Sequence, residues 1–187
     1  MKKVLIWKAL ARGVVLESIR RKDIWVVAIL GLLTIMSAGA LGFFGFSGLE
    51  LFAKDLGLTV LSIFSTILAV IASSRMLPDE IKNRTLYPLL ARPVSRFDFL
   101  FGKFLGAVAV SWISFALLAA MVAFALFTFG VTFELILLQY AICKMMGLVV
   151  VCAVSLTLSA YMTPSAATTL SFVLLFGSSM MLRGLTM

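Results

Sequence analysis

The largest group of acidic and basic side chains between apolar stretches lies in residues 75–103, RMLPDEIKNRTLYPLLARPVSRFDFLFGK. It contains Arg75, Lys82, Arg84, Arg92, Arg96 and Lys103, six of the sixteen basic residues. Its paired carboxylates, Asp79 and Glu80, are neighbours in sequence. On a helix they diverge by about 100°, so they cannot flank one reacting atom as an acid–base pair must. The chain has no histidine, which removes the common metal and proton-transfer constellations. Cys143 and Cys152 are nine residues apart on one expected helix, about 13 Å in rise, and a disulfide needs Cα atoms within about 7 Å. They read as small apolar packing residues. No glycine-rich loop of the GxxxxGK[ST] kind is present, so no ATP site is expected on this chain. With catalytic, metal and cofactor sites all unexpected, the chemistry left for residues 75–103 is recognition: a charged segment presented to a partner.

The elements that must present it follow from composition. Hydrophobic residues make up 63% of 187 residues and mean hydropathy is +1.16, against about 45–50% apolar in soluble domains. The apolar residues fall in runs of about 20, the length that spans a bilayer core as a helix, whereas a porin-type barrel shows short alternating segments. The expected fold is an all-α polytopic membrane protein with one domain over 1–187. It comprises an N-terminal amphipathic interfacial helix within 1–23 and about five transmembrane helices, at 24–46, 56–74, 104–129, 144–162 and 166–182. The loop 75–103 separates the second and third. A net charge of +8 would suggest nucleic acid in a soluble protein. Here the basic residues flank apolar spans, without interleaved stacking aromatics, so topology explains them and no nucleic-acid partner is expected.

At the N-terminus, Trp7, Leu10, Ala11, Val14, Val15 and Ile19 follow one helical stripe, with Arg12, Glu17 and Arg20 away from it. The segment reads as an interfacial helix. A cleavable signal is not expected, because Glu17 and the Arg20-Arg21-Lys22-Asp23 cluster interrupt the apolar run. Seven Lys/Arg precede the first span and six lie in 75–103, against one in 47–55 and none in 130–143. The positive-inside rule then places the N-terminus and the large loop in the cytoplasm. Residues 130–143, with Glu134 and Gln139, are expected at the opposite interface. Starting the fourth span at Lys144 lets its stem reach the interface rather than bury a charge. A polar contact inside a translocation path is the alternative.

Within the loop, Pro78 suits the first turn of a helix, with Asp79 and Glu80 near the positive end of its dipole. That helix is expected to run to about Tyr87 and stop at Pro88. Pro93 forces Arg92 toward extended geometry. Ser95-Arg96-Phe97-Asp98 has capping-box spacing, so the third helix should start near Arg96, outside the lipid. The result would be a stiff lever, although a positive-inside connection with incidental prolines also accounts for the charges. Gly102-x-x-x-Gly106 permits close helix approach.

These residues resemble the signature loop of ABC-2-type transporter permeases, the membrane subunits of type V ABC exporters. The matching positions are Glu80, Arg84-Thr85-Leu86, Leu89-Leu90-Ala91-Arg92-Pro93-Val94-Ser95-Arg96 and Phe101-Gly102-Lys103. The N-terminal helix with Glu17 is similar to the family's elbow helix. The resemblance implies a loop docked on a separate ABC ATP-binding subunit, which would carry ATP and Mg. The docking element would be Asp79, Glu80, Arg84, Thr85, Leu86, Leu89 and Leu90. Arg92, Pro93, Ser95 and Arg96 would set its angle to the third helix, and Thr163, Pro164 and Ser165 would make a second cytoplasmic contact. It further implies a permease homodimer or heterodimer, with Gly102 and Gly106 as helix-interface candidates, in the cell (inner or plasma) membrane. Such permeases usually have a sixth span, and five spans would leave the C-terminus outside.

A haem-export-type permease is the alternative within this class. A stand-alone channel or secondary transporter would be expected to bury ionisable residues at the midplane and to show broken helices or repeats. A truncated assembly subunit is a further alternative. The bland spans point to an apolar or amphiphilic cargo.

Overall fold

The computed structural model describes residues 2–20, 49–82, 96–128 and 135–185, with Trp25, Ile29, Gly31 and Leu32 between the first two. All regular structure among them is helical: α1 (Lys2–Arg20), α2 (Leu49–Lys82), α3 (Arg96–Thr128), α4 (Leu135–Tyr161) and α5 (Pro164–Leu185). Three carry apolar stretches long enough to cross a membrane: Lys54–Met76, Phe97–Phe124 and Leu137–Tyr161. In α5 the apolar stretch Pro164–Gly177 is shorter. Most of the expected first span, 24–46, lies outside the described residues.

Three boundaries differ from the sequence-based expectation. First, α2 does not end at Ser74 and restart at Pro78; it runs unbroken to Lys82. Its 34 residues reach about 51 Å at 1.5 Å per residue, well beyond a hydrocarbon core of about 30 Å. Second, residues 135–143, expected ahead of the fourth span, form the first turns of α4. Third, the apolar part of α4 begins at Leu137, so Lys144 sits about 10 Å inside it. As expected, α3 starts at Arg96.

Helix α2 is the centre of the bundle and packs against α3, α4 and α5, while α1 lies along α3. The core is built from Leu61, Leu68 and Val70 of α2, Val108, Phe115 and Leu118 of α3, and Leu148 and Val151 of α4. Every fourth residue of α2 from Gly57 to Ser73 (Gly57, Leu61, Ser65, Ala69, Ser73) is buried. Four of these five are Gly, Ala or Ser, and a line of such small residues lets helices approach closely where no water competes. The serines silence their own hydroxyls: Ser73 Oγ donates to the Ala69 carbonyl (2.7 Å), Ser111 to Ala107 (2.9 Å) and Ser114 to Val110 (2.8 Å), the fold-back bond that suits serine in a helix. Ser155 and Ser171 are the buried exceptions, with no hydroxyl partner among the described residues. Cys152 is buried with its Sγ 3.1 Å from Ser111 Oγ, Cys143 is exposed, and both are free thiols.

Candidate coupling region

The end of the bundle where α2 stops and α3 starts, here the loop end, is where four helices are tied together. Leu10 of α1, Met76 of α2, Phe99 of α3 and Leu156 of α4 meet in one apolar cluster. Each helix contributes one side chain, so none can shift without disturbing the others. The rings of Trp7 and Phe101 meet edge to face at 4.9 Å, a geometry that adds to simple area burial.

The seat of α1 on α3 depends on two glycines. A Cβ on Gly102 would come within 2.8 Å of Leu10 Cδ1, and one on Gly106 within 2.7 Å of Val14 Cβ. No real Cβ contact is that short, so Leu10 and Val14 fit only because those positions have no side chain. The Gly102-x-x-x-Gly106 pair thus receives α1 of the same chain. Val14, 3% exposed, is the buried centre of the α1 stripe. The stripe ends earlier than its periodicity suggests, for Ile19 is 46% exposed. At the outer end of this contact, Trp7 Nε1 donates to Asp98 Oδ1 at 3.2 Å. Asp98 is buried and this hydrogen bond gives its carboxylate a donor. The bond joins residues 91 apart in sequence, and periodicity within α1 carries no hint of it.

A second tie rests on the chemistry of proline. Pro78 lies inside α2 and has no N–H, so the carbonyl of Ser74, four residues back, loses its helical donor. Ser159 Oγ of α4 donates to that carbonyl at 2.8 Å, in a buried bond. A partner helix therefore supplies what the proline removes, and α2 continues through Pro78 without an orphaned carbonyl. Ser159 is two residues before Tyr161, where α4 ends. Met162 and Thr163 form the break before Pro164 opens α5, with Ala167 N–H donating to the Thr163 carbonyl at 2.9 Å. Thr163 and Ser165 are exposed. The Ser74–Ser159 bond thus ties the last turn of α4, just before the Thr163-Pro164-Ser165 turn, to α2 eight residues before α2 ends at Lys82.

Of the residues expected to form the docking element, Asp79 and Glu80 fall on the last helical turns of α2 and Arg96 is the first residue of α3. Arg84, Thr85, Leu86, Leu89, Leu90, Arg92, Pro93 and Ser95 lie outside the described residues. So does the Ser95 capping position expected to pair with Asp98.

A different arrangement occupies the half of the bundle away from the loop end. Lys144 Nζ donates to Ser62 Oγ at 2.7 Å and to Thr66 Oγ1 at 3.1 Å, both on α2. The side chain turns into the bundle rather than along α4 to the interface, which corrects the expectation that Lys144 opens the span. The hydroxyls make this possible, since a cation at the centre of an apolar helix costs about 2.5–3.5 kcal/mol on insertion scales. Nearby, Tyr140 Oη donates to the Leu58 carbonyl (3.2 Å) and Trp112 Nε1 to the Met145 carbonyl (3.3 Å). A family model described as ABC-2 family transporter protein matches residues 53–186, most of the chain.

The chain belongs to the ABC-2 transporter family.

No curated protein and no solved structure matches it. Family membership and the long apolar helices make it a membrane permease component of an ABC transporter. In an ABC-2 permease, the loop-end cluster and the Lys144 cluster are candidates for different tasks: transmitting movement and meeting a ligand. Among the described residues no group of His, Cys, Asp and Glu could hold a metal ion.

Proposed function

We propose that this ABC-2 permease is the membrane subunit of an exporter, driven by a separate ATP-binding subunit that docks on residues 79–90. ATP and Mg would bind that partner. The N-terminus and the loop end face the cytoplasm in this reading, and two permease chains assemble side by side in the cell membrane. Closure of the ATPase subunits pushes on the α2–α3 loop. The push reaches the bundle because α2 leaves the apolar zone as one continuous helix, from Met76 to Lys82, and α3 enters it directly at Phe97.

The observation that carries this reading is the four-helix cluster of Leu10, Met76, Phe99 and Leu156, reinforced by the Ser159–Ser74 bond. A loop that served only to connect two spans would need no such anchorage. With it, displacement at the loop moves α1, α2, α3 and α4 together. The Thr163-Pro164-Ser165 turn, which follows the end of α4 tied to α2 by that bond, offers the partner a second and smaller contact.

The test is replacement of Glu80 by alanine, or of a residue in 81–86 by proline, in the reconstituted transporter. Membrane insertion should survive while ATP hydrolysis continues without transport. Loss of expression and insertion would instead make the loop a folding element and remove the coupling role.

A further inference from the structure

The cluster around Lys144 has a feature that helix packing alone leaves unexplained: a cavity of about 220 Å³ beside the ammonium. Its polar wall is Ser62, Thr66 and Lys144, and its apolar wall includes Leu175 and Phe176 of α5, with Gly147 between them. Such a volume corresponds to several water molecules, so Lys144 does not fill the space it faces. Ile63, Gly147 and Phe176 are exposed, which leaves the cavity open on one side.

The hydrogen bonds define what the cavity can accept. An ammonium has three donors, and two of them go to Ser62 Oγ and Thr66 Oγ1. Thr66 spends its own proton on the Ser62 carbonyl at 2.7 Å, so toward Lys144 it is purely an acceptor. Both partners are neutral oxygens. They solvate the cation without cancelling its charge, and one N–H remains for a ligand. An ionisable group inside an apolar span commonly marks a ligand pathway. A positive charge with a spare donor, in a cavity whose other wall is aliphatic and aromatic, matches an oxyanion joined to an apolar body. A metal cation would be repelled, and a sugar would find too few polar groups on the α5 side.

We propose that the cavity between α2, α4 and α5 binds an anionic amphiphile, with Lys144 holding a phosphate or carboxylate head group and Leu175 and Phe176 receiving the tail. The proposal requires no docked ATPase and stands apart from the coupling reading. Ser62 and Thr66 are positioning residues: they aim the ammonium and carry it when the ligand is absent.

The test is saturable binding of radiolabelled dodecyl phosphate to the full chain in nanodiscs of zwitterionic phospholipid, with empty nanodiscs as background. Dodecylphosphocholine has the same tail without net charge and should not compete. Inorganic phosphate at equal concentration should compete weakly; full competition would show a free-oxyanion site and overturn the amphiphile assignment. Lys144→Met should lower affinity about tenfold or more, the loss expected for one charged hydrogen bond, and Lys144→Arg should retain it. Gly147→Leu gives a second reading that leaves the cation in place. A Cβ at Gly147 meets nothing within 4 Å, so the leucine fills cavity space, and binding should fall while the chain stays monodisperse. Wild-type affinity in both Lys144→Met and Gly147→Leu would overturn the proposal.

Discussion

The two ends of this bundle solve opposite problems. At the loop end, helices are locked by close apolar contact: glycine against Leu10 and Val14, Phe99 against Leu156, and a serine hydroxyl capping the carbonyl that Pro78 leaves bare. Around Lys144 the same helices are held by hydroxyls and a cation beside a partly empty cavity. Close-packed interiors transmit displacement because they cannot deform gradually. A roomy polar site can exchange a ligand without disturbing its frame. On the proposed reading, movement belongs to one end and recognition to the other.

The contrast is sharpest in paired substitutions. Phe99→Ala opens a cavity inside the four-helix cluster and should cost about 3–5 kcal/mol. Phe176→Ala, at a half-exposed wall of a cavity that already exists, should cost less than about 1 kcal/mol, since there is little close packing to lose. Thermal unfolding of the two variants in one detergent checks the difference; equal losses would erase the distinction between the ends. Next in size is Gly106→Val. It drives a branched side chain into Val14, an overpacking cost of about 1–3 kcal/mol. The released α1 should become sensitive to limited proteolysis and Trp7 should shift in fluorescence, whereas Gly147→Ala, with open space around it, should change neither.

The last comparison tests the proline tie. Ser159→Ala leaves the buried Ser74 carbonyl unpaired and should cost about 1–3 kcal/mol. Pro78→Ala restores the helical N–H, so in that background Ser159→Ala should cost about 0.6 kcal/mol, the average for an interhelical bond in a membrane. A double-mutant cycle on thermal stability measures the coupling. Strict additivity would mean that Ser159 does not stand in for the missing donor.

The pattern of what the sequence reveals has the same physical basis. Apolar runs of bilayer length mark α2, α3 and α4 because a membrane span is a local property of composition. The loop motif likewise marked the family, since it is contiguous. The sequence places Lys144 at the interface because a charge in an apolar helix ordinarily belongs there; the hydroxyls that receive it lie 78 and 82 residues away. Pro78 suits a helix start for a similar reason. Locally it breaks the hydrogen-bond ladder, and only Ser159, 85 residues from the freed carbonyl, lets α2 continue. The Gly102/Gly106 pair was visible as a place of close approach, but spacing within α3 does not say that Leu10 and Val14 of α1 are what approaches. Local rules mislead wherever a distant side chain supplies the missing partner.

The most direct test of the account is purification of the tagged chain from its native membrane in mild detergent, with identification of what accompanies it. The account predicts a co-purifying Walker-motif ATPase with the natural sequence. It should be lost when residues 79–90 are scrambled, although the scrambled chain still inserts in the membrane. A natural-sequence preparation that carries no ATPase even after crosslinking, or a scrambled chain that retains it, would contradict the claim that this loop couples the permease to its motor.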